Sequence, residues 1–147
     1  MKGTHSAMAE PYGTTPPALL RPPASPAAGA TASAAMAFAA FRALYEGHYA
    51  AYAAVRLGSS ALGRRAARAA FAELSGSWAR VLRSSCLAAT AWACLRRHVE
   101  AQAGRPLPEA DDAALLAGRL GLGRDLVMEL LGDAQAGILH APLATGC

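Results

Sequence analysis

Large apolar side chains recur at helical spacing through most of the chain. Phe38, Phe41, Tyr45, Tyr49 and Tyr52 fall at i, i+3, i+7, i+11 and i+14, with Leu44 and Val55 widening the stripe. A repeat near 3.6 residues is that of a helix with one buried face, and it predicts a first helix over 33–56. Phe71, Leu74 and Trp78 continue the pattern in a second helix over 61–82, and Ala88, Trp92, Leu95 and Val99 in a third over 86–102. The run LGSS, Leu57 to Ser60, supplies a glycine stop followed by Ser59 or Ser60 as the next N-cap. Ser84 and Ser85 mark the second break in the same way.

Outside this middle the pattern weakens. Residues 1–31 carry Pro11, Pro16, Pro17, Pro22, Pro23 and Pro26 among Gly, Ser, Thr and Ala, and are expected to be a disordered tail. The three predicted helices occupy 33–103. AGRPLPEADD follows as a linker, 104–112, whose acidic end from Glu109 to Asp112 is expected to cap the next helix. In 113–147 two short helices are expected over 113–120 and 126–131, then a turn at Gly132 and a further helical piece over 138–143. Together these sketch a helix-turn-helix. Alanine, leucine and arginine dominate, β-branching is sparse, and no strand-like alternation occurs; the fold class is all-α.

Composition sharpens the core. Hydrophobic residues make up 54% of the chain, but much of that is alanine; aromatics are only 6%. The few rings must therefore carry the packing, so Trp78 and Trp92 are assigned to the core and His48 to a partly buried packing position. Charge is unevenly placed. From Phe41 to Arg105 ten arginines face three glutamates, a net of +7; from Pro106 to Cys147 two arginines face six acids, a net of −4. Such asymmetry implies contact with a polyanion, masking of one segment by the other, or a solvated cationic surface.

Candidate chemistry is thin. Cys86, Cys94 and Cys147 form no CxxC, and no paired histidine spacing accompanies them, so neither a disulfide framework nor a metal site is expected. There is no Gly-x-Ser-x-Gly, HExxH or Gly-x-x-x-x-Gly-Lys, and the adjacent Asp111 and Asp112 diverge on a helix. No catalytic residue, cofactor or small-molecule substrate is assigned. The amino-terminal MKGTHSAMAEPYG lacks the apolar run of a signal peptide and no segment suits a bilayer span, so a cytoplasmic protein without a membrane partner is expected.

Across the middle, Phe41, Leu44, Tyr45, His48, Arg56 and Gly58, then Phe71 and Trp78, then Ala91 and Trp92, are spaced as in region 2 of the extracytoplasmic-function (group IV) sigma factors of bacterial RNA polymerase, which this stretch resembles. Met128 to Gly132, with Ala136, Gly137 and Ile138, is similar to a truncated piece of that family's region 4. The resemblance implies a three-helix region 2-like bundle and a sigma-factor-like transcription regulator, with RNA polymerase core and promoter DNA as partners. It also implies divergence. The family's acidic polymerase-gripping pair falls on Arg64 and Arg65, and its next polar pair on Arg68 and Ala69, which reverses the charge of that surface. The supposed recognition helix contains Pro142 and no arginine or lysine.

The candidate residues follow. Arg64, Arg65 and Arg68 are the polymerase- or partner-binding set. Arg80, Arg83, Arg96, Arg97 and His98 are the nucleic-acid contacts, with Trp92 bracing the helix that approaches promoter DNA. Read without the resemblance, the same arginines and Arg105 lie in water or pair with the acidic segment from Glu109 to Asp133. The alternative function is then a small helical interaction module that binds an acidic protein and no DNA.

Overall fold

The computed structural model describes residue 3 and residues 26–132, with side chains from residue 29. Five helices follow one another: α1 (Pro26–Leu57), α2 (Ser60–Leu82), α3 (Leu87–Ala103), α4 (Asp111–Gly118) and α5 (Arg124–Leu131). The described residues contain no strand. The fold is all-α.

The helix boundaries have local causes. α1 begins at Pro26, seven residues before the expected start. Proline is tolerated at the first helical position, where its missing N–H has no intrahelical partner to lose, and the alanines that follow propagate the helix. Gly29 to Ser33 are all exposed, so these added turns overhang the bundle. Gly58, at φ +65°, ends α1, and the Ser59 hydroxyl accepts from the Leu62 N–H at 3.2 Å to cap α2.

Two expected caps are corrected. Ser84 turns back, its hydroxyl donating to the Val81 carbonyl at 2.6 Å, and the sulfur of Cys86 caps α3 by accepting from the Ala89 N–H at 3.4 Å. Cys86 is also disulfide-bonded, contrary to the expectation from the odd cysteine count. α4 has no side-chain cap from Glu109 to Asp112; Ala110 sits at its start, and Asp112 points into the core instead.

α1 and α2 form the most extensive helix pair, α3 lies against both, and α5 packs on α3 and α4. Phe41, Tyr49, Tyr52, Phe71, Leu74, Trp78, Trp92, Leu95 and Val99 are buried as expected, and His48 is half-buried. Leu44 is not part of the core; it is 64% exposed. The rings form a continuous chain. Centroids are 5.2 Å apart for Phe41–Trp78, 5.3 Å for Tyr49–Phe71, 5.4 Å for Tyr49–Trp92 and 4.6 Å for Tyr52–Trp92. These spacings are those of favourable edge and tilted contacts. Leu107, Leu116, Val127, Leu130 and Leu131 join the same core, so α4 and α5 close the bundle. The expected piece over 138–143, and with it the second half of the helix-turn-helix, lies outside the described residues. No helix among the described residues is long and apolar enough to cross a membrane.

Candidate nucleic-acid interface

The expected basic residues separate into two populations, and burial decides which is which. Trp92 is 0% and Arg96 4% exposed. Arg96 was expected at nucleic acid, and Trp92 in the core with a bracing role beside promoter DNA; both face inward. The Trp92 indole donates to Asp112 Oδ2 at 3.0 Å, and Arg96 Nη1 donates to the same oxygen at 2.8 Å. The other carboxylate oxygen accepts from the Tyr52 hydroxyl at 2.6 Å and from Arg56 Nη2 at 2.6 Å. Asp112 is itself 1% exposed. A buried carboxylate is tolerable only when its lone pairs are met and its charge is opposed; here four donors and two guanidinium groups do both.

The same guanidinium groups fasten the chain between α3 and α4. Arg96 donates to the Leu107 carbonyl, and Arg56 Nη2 to the Pro108 carbonyl at 3.0 Å. Glu100 Oε1 accepts from the Leu107 N–H at 3.1 Å, a bond that holds the Glu100 carboxyl below the usual carboxylate range, with Arg96 assisting. Arg96 is therefore corrected from a nucleic-acid contact to part of a buried polar plug, and Trp92, a core residue as expected, belongs to the same plug and makes no surface contact.

Arg97 and His98 are engaged differently. Arg97 Nη2 donates to Glu73 Oε1 at 2.7 Å, and His98 Nε2 lies 2.7 Å from Glu73 Oε2. These hydrogen bonds, that from Arg97 first, pull the Glu73 carboxyl below its ordinary range. Beside this pair lies the buried thiol of Cys94, and the ligand atoms of Glu73, Cys94 and His98 all lie within 4.8 Å of one another.

The second population is on α2 and its C-cap, Arg83. Arg64, Arg65, Arg68, Arg80 and Arg83 are all exposed, and among the described residues none of them forms an ion pair. Helical steps of about 100° place Arg64, Arg65, Arg68, Ala72, Ser75 and Ala79 within one sector of α2, which Arg83 at the C-cap continues, while Arg80 stands about 60° outside it on the side of Glu73. No acid interrupts that sector. From Arg64 to Arg83 the helix advances about 28 Å at 1.5 Å per residue. Arg105, also exposed, lies beyond the end of α3 and does not belong to this row.

Two described acids of the carboxy-terminal third are engaged away from α2. Asp112 neutralises Arg56 and Arg96, and Glu129 of α5 accepts from the Tyr45 hydroxyl of α1 at 3.3 Å. Near the arginine row, the Glu46 carboxyl is lowered chiefly by its hydrogen bond with Arg42 and to a smaller degree by the charge of Arg68.

Three residues escaped sequence reasoning. Asp112 was read as part of a helix cap, and Glu73 was assigned no role. Cys94 was set aside for lack of a CxxC, although Cys94 and His98 stand four apart on a helix, a spacing that puts both side chains on one face. Comparisons with protein families, with curated proteins and with solved structures gave no match.

Proposed function

We propose that the protein is a transcription regulator that lays the acid-free face of α2 against a nucleic-acid backbone. One observation carries this reading: Arg64, Arg65, Arg68 and Arg80 of α2 and Arg83 at its C-cap are exposed without an ion-pair partner among the described residues, while Asp112 and Glu129 of the carboxy-terminal third are engaged elsewhere. Guanidinium groups spaced along one helix face contact phosphates and release condensed counterions, so the binding is electrostatic and tolerant of sequence.

The sigma-factor-like form of the proposal, with RNA polymerase core and promoter DNA as partners, has separate support in the spacing of Phe41, Tyr45, Phe71, Trp78 and Trp92. Those rings are core or half-buried residues. They speak for the bundle, whereas the arginines speak for the partner. The second reading, an acidic protein, is favoured by Ala72, Ser75, Gly76 and Ala79. These are small, exposed, and set between the two arginine groups, where an approaching helix meets little obstruction.

Fluorescence anisotropy with a short DNA duplex, titrated with salt, tests the nucleic-acid form. Three to five phosphate contacts give a log–log salt slope of about −3 to −4.5. No binding at about 50 mM salt overturns it. Retention of core RNA polymerase on the immobilised full chain tests the sigma-like form, and retention of an acidic protein without polymerase selects the second reading.

A further inference from the structure

Glu73, Cys94 and His98 lie on the edge of the α2–α3 interface, away from the arginine row, and neither the packing nor the proposed function uses them as a set. Cys94 and His98 come from one face of α3, and Glu73 reaches them from α2. Three different donors, a thiol sulfur, an imidazole nitrogen and a carboxylate oxygen, converge within 4.8 Å. We propose that this cluster is a site for a zinc-like divalent transition-metal ion, bound by Cys94 Sγ, His98 Nε2 and Glu73 Oε2, with water as the fourth ligand.

The donor set suits that class of ion. Zinc takes sulfur at about 2.3 Å and nitrogen or oxygen at about 2.0–2.2 Å in a tetrahedron, so neighbouring ligand atoms stand roughly 3.3–3.8 Å apart. The present atoms need adjust by only about an ångström to reach that spacing. A thiolate also disfavours calcium and magnesium, which take oxygen ligands.

The carboxylate is already divided between two tasks. Arg97 holds Oε1 at 2.7 Å, which fixes the group's orientation and leaves Oε2 turned towards His98. An outer hydrogen bond on a ligand's second oxygen is a common way to aim the first. Exposure grades across the site as an entry path requires. Cys94 is buried, with its thiol donating to the Ala70 carbonyl at 3.7 Å, whereas the His98 and Glu73 side chains are 28% and 40% exposed. A metal arriving from solvent meets histidine and carboxylate first, then the sulfur.

The Cys94 thiol loses its proton to solvent and a sulfur–metal bond forms; the proton that His98 Nε2 donates to Glu73 Oε2 is transferred through solvent to Nδ1, which frees both Nε2 and Oε2 to turn to the ion, so the net release is one proton. The Cys94 thiol donates to the Ala70 carbonyl, so its proton is released as the metal binds. The ion joins α2 to α3 and ties up His98, which removes it from any nucleic-acid contact.

The test uses the full chain, with cobalt as a spectroscopic probe and zinc as competitor. The expected result is one cobalt per chain with a sulfur-to-cobalt charge-transfer band, displaced by zinc, with about one proton released. C94S abolishes the band, while H98A and E73Q each weaken binding by tenfold or more. Absence of the band in the native chain overturns the proposal, as does a band that survives in C94S. Should C94S fail to fold, the exposed-side variants H98A and E73Q decide the matter: affinity equal to that of the native chain refutes the site.

Discussion

The Tyr52 hydroxyl donates to Asp112 Oδ1 at 2.6 Å, joining residues 60 positions apart inside a core where both are almost wholly buried. The Tyr52 ring meets Trp92 at 4.6 Å, and the Arg56 guanidinium lies 5.6 Å from the centre of the same ring. Aromatic packing and charge neutralisation therefore meet at one carboxylate. Asp112→Asn keeps the shape of the side chain but leaves Arg56 and Arg96 opposed by far less negative charge. Breaking a buried pair in this way costs about 3–5 kcal/mol, to be read as a lower midpoint in urea unfolding. Tyr52→Phe removes one donor and spares the charges, and is expected to cost about 1–3 kcal/mol.

Tyr52 and Tyr49 also set an alkaline limit. Burial, first of all, raises both phenols above their ordinary value of 10.0, and Asp112 adds to the effect at Tyr52. The folded state thus keeps protons that the unfolded state surrenders. Above about pH 10 the unfolded chain binds fewer protons than the folded one, so stability falls as pH rises from there. Tyrosinate absorbance of these two rings is expected to appear together with loss of helical circular dichroism. Ionisation well below the unfolding step contradicts the burial.

Two glycines of α2 should respond in opposite directions to alanine. A Cβ at Gly63 meets the Ala54 nitrogen at 2.5 Å, the Ala54 Cα at 2.7 Å and the Ala50 carbonyl at 2.8 Å, all backbone atoms of α1. Gly63→Ala must push the two longest helices apart, and overpacking of this kind costs about 1–3 kcal/mol. At Gly76 a Cβ meets nothing within 4 Å. Gly76→Ala gains helix propensity, about 0.5–1 kcal/mol, and should raise the thermal midpoint.

What the sequence disclosed, and what it hid, follows from the range of each interaction. The ring stripe of α1 was legible because helix geometry alone fixes which side chains share a face. Leu44 was misplaced for the same reason: it lies about 100° from the centre of the stripe, on a flank where no helix packs. Pro26 was taken for a helix breaker, yet at the first helical position it breaks nothing. The polar plug was illegible because residues 52, 56, 92, 96 and 112 meet only after three helices have docked. A charge count treats Arg96 and Arg64 alike. Their burial, set by neighbours distant in sequence, makes one a core residue and the other a surface cation. Glu73, Cys94 and His98 were hidden similarly, since their third member comes from a different helix.

This division of the arginines gives the most discriminating prediction. If α2 is the contact surface, replacing Arg64, Arg65 and Arg68 together by alanine should leave folding almost unchanged, because exposed substitutions shift stability by about 0.5 kcal/mol or less each. Salt dependence of DNA binding should fall by about 0.9 in slope for each phosphate contact removed. Arg96→Ala should do the reverse. It strips Asp112 of one of its two counterions and frees the Leu107 carbonyl, so the thermal midpoint drops while the salt slope, measured below that midpoint, stays that of the native chain. Paired melting and anisotropy measurements on the two variants check this. Loss of binding in the Arg96 variant with its fold intact, or an unchanged slope in the triple variant, would place the contact surface elsewhere than on α2.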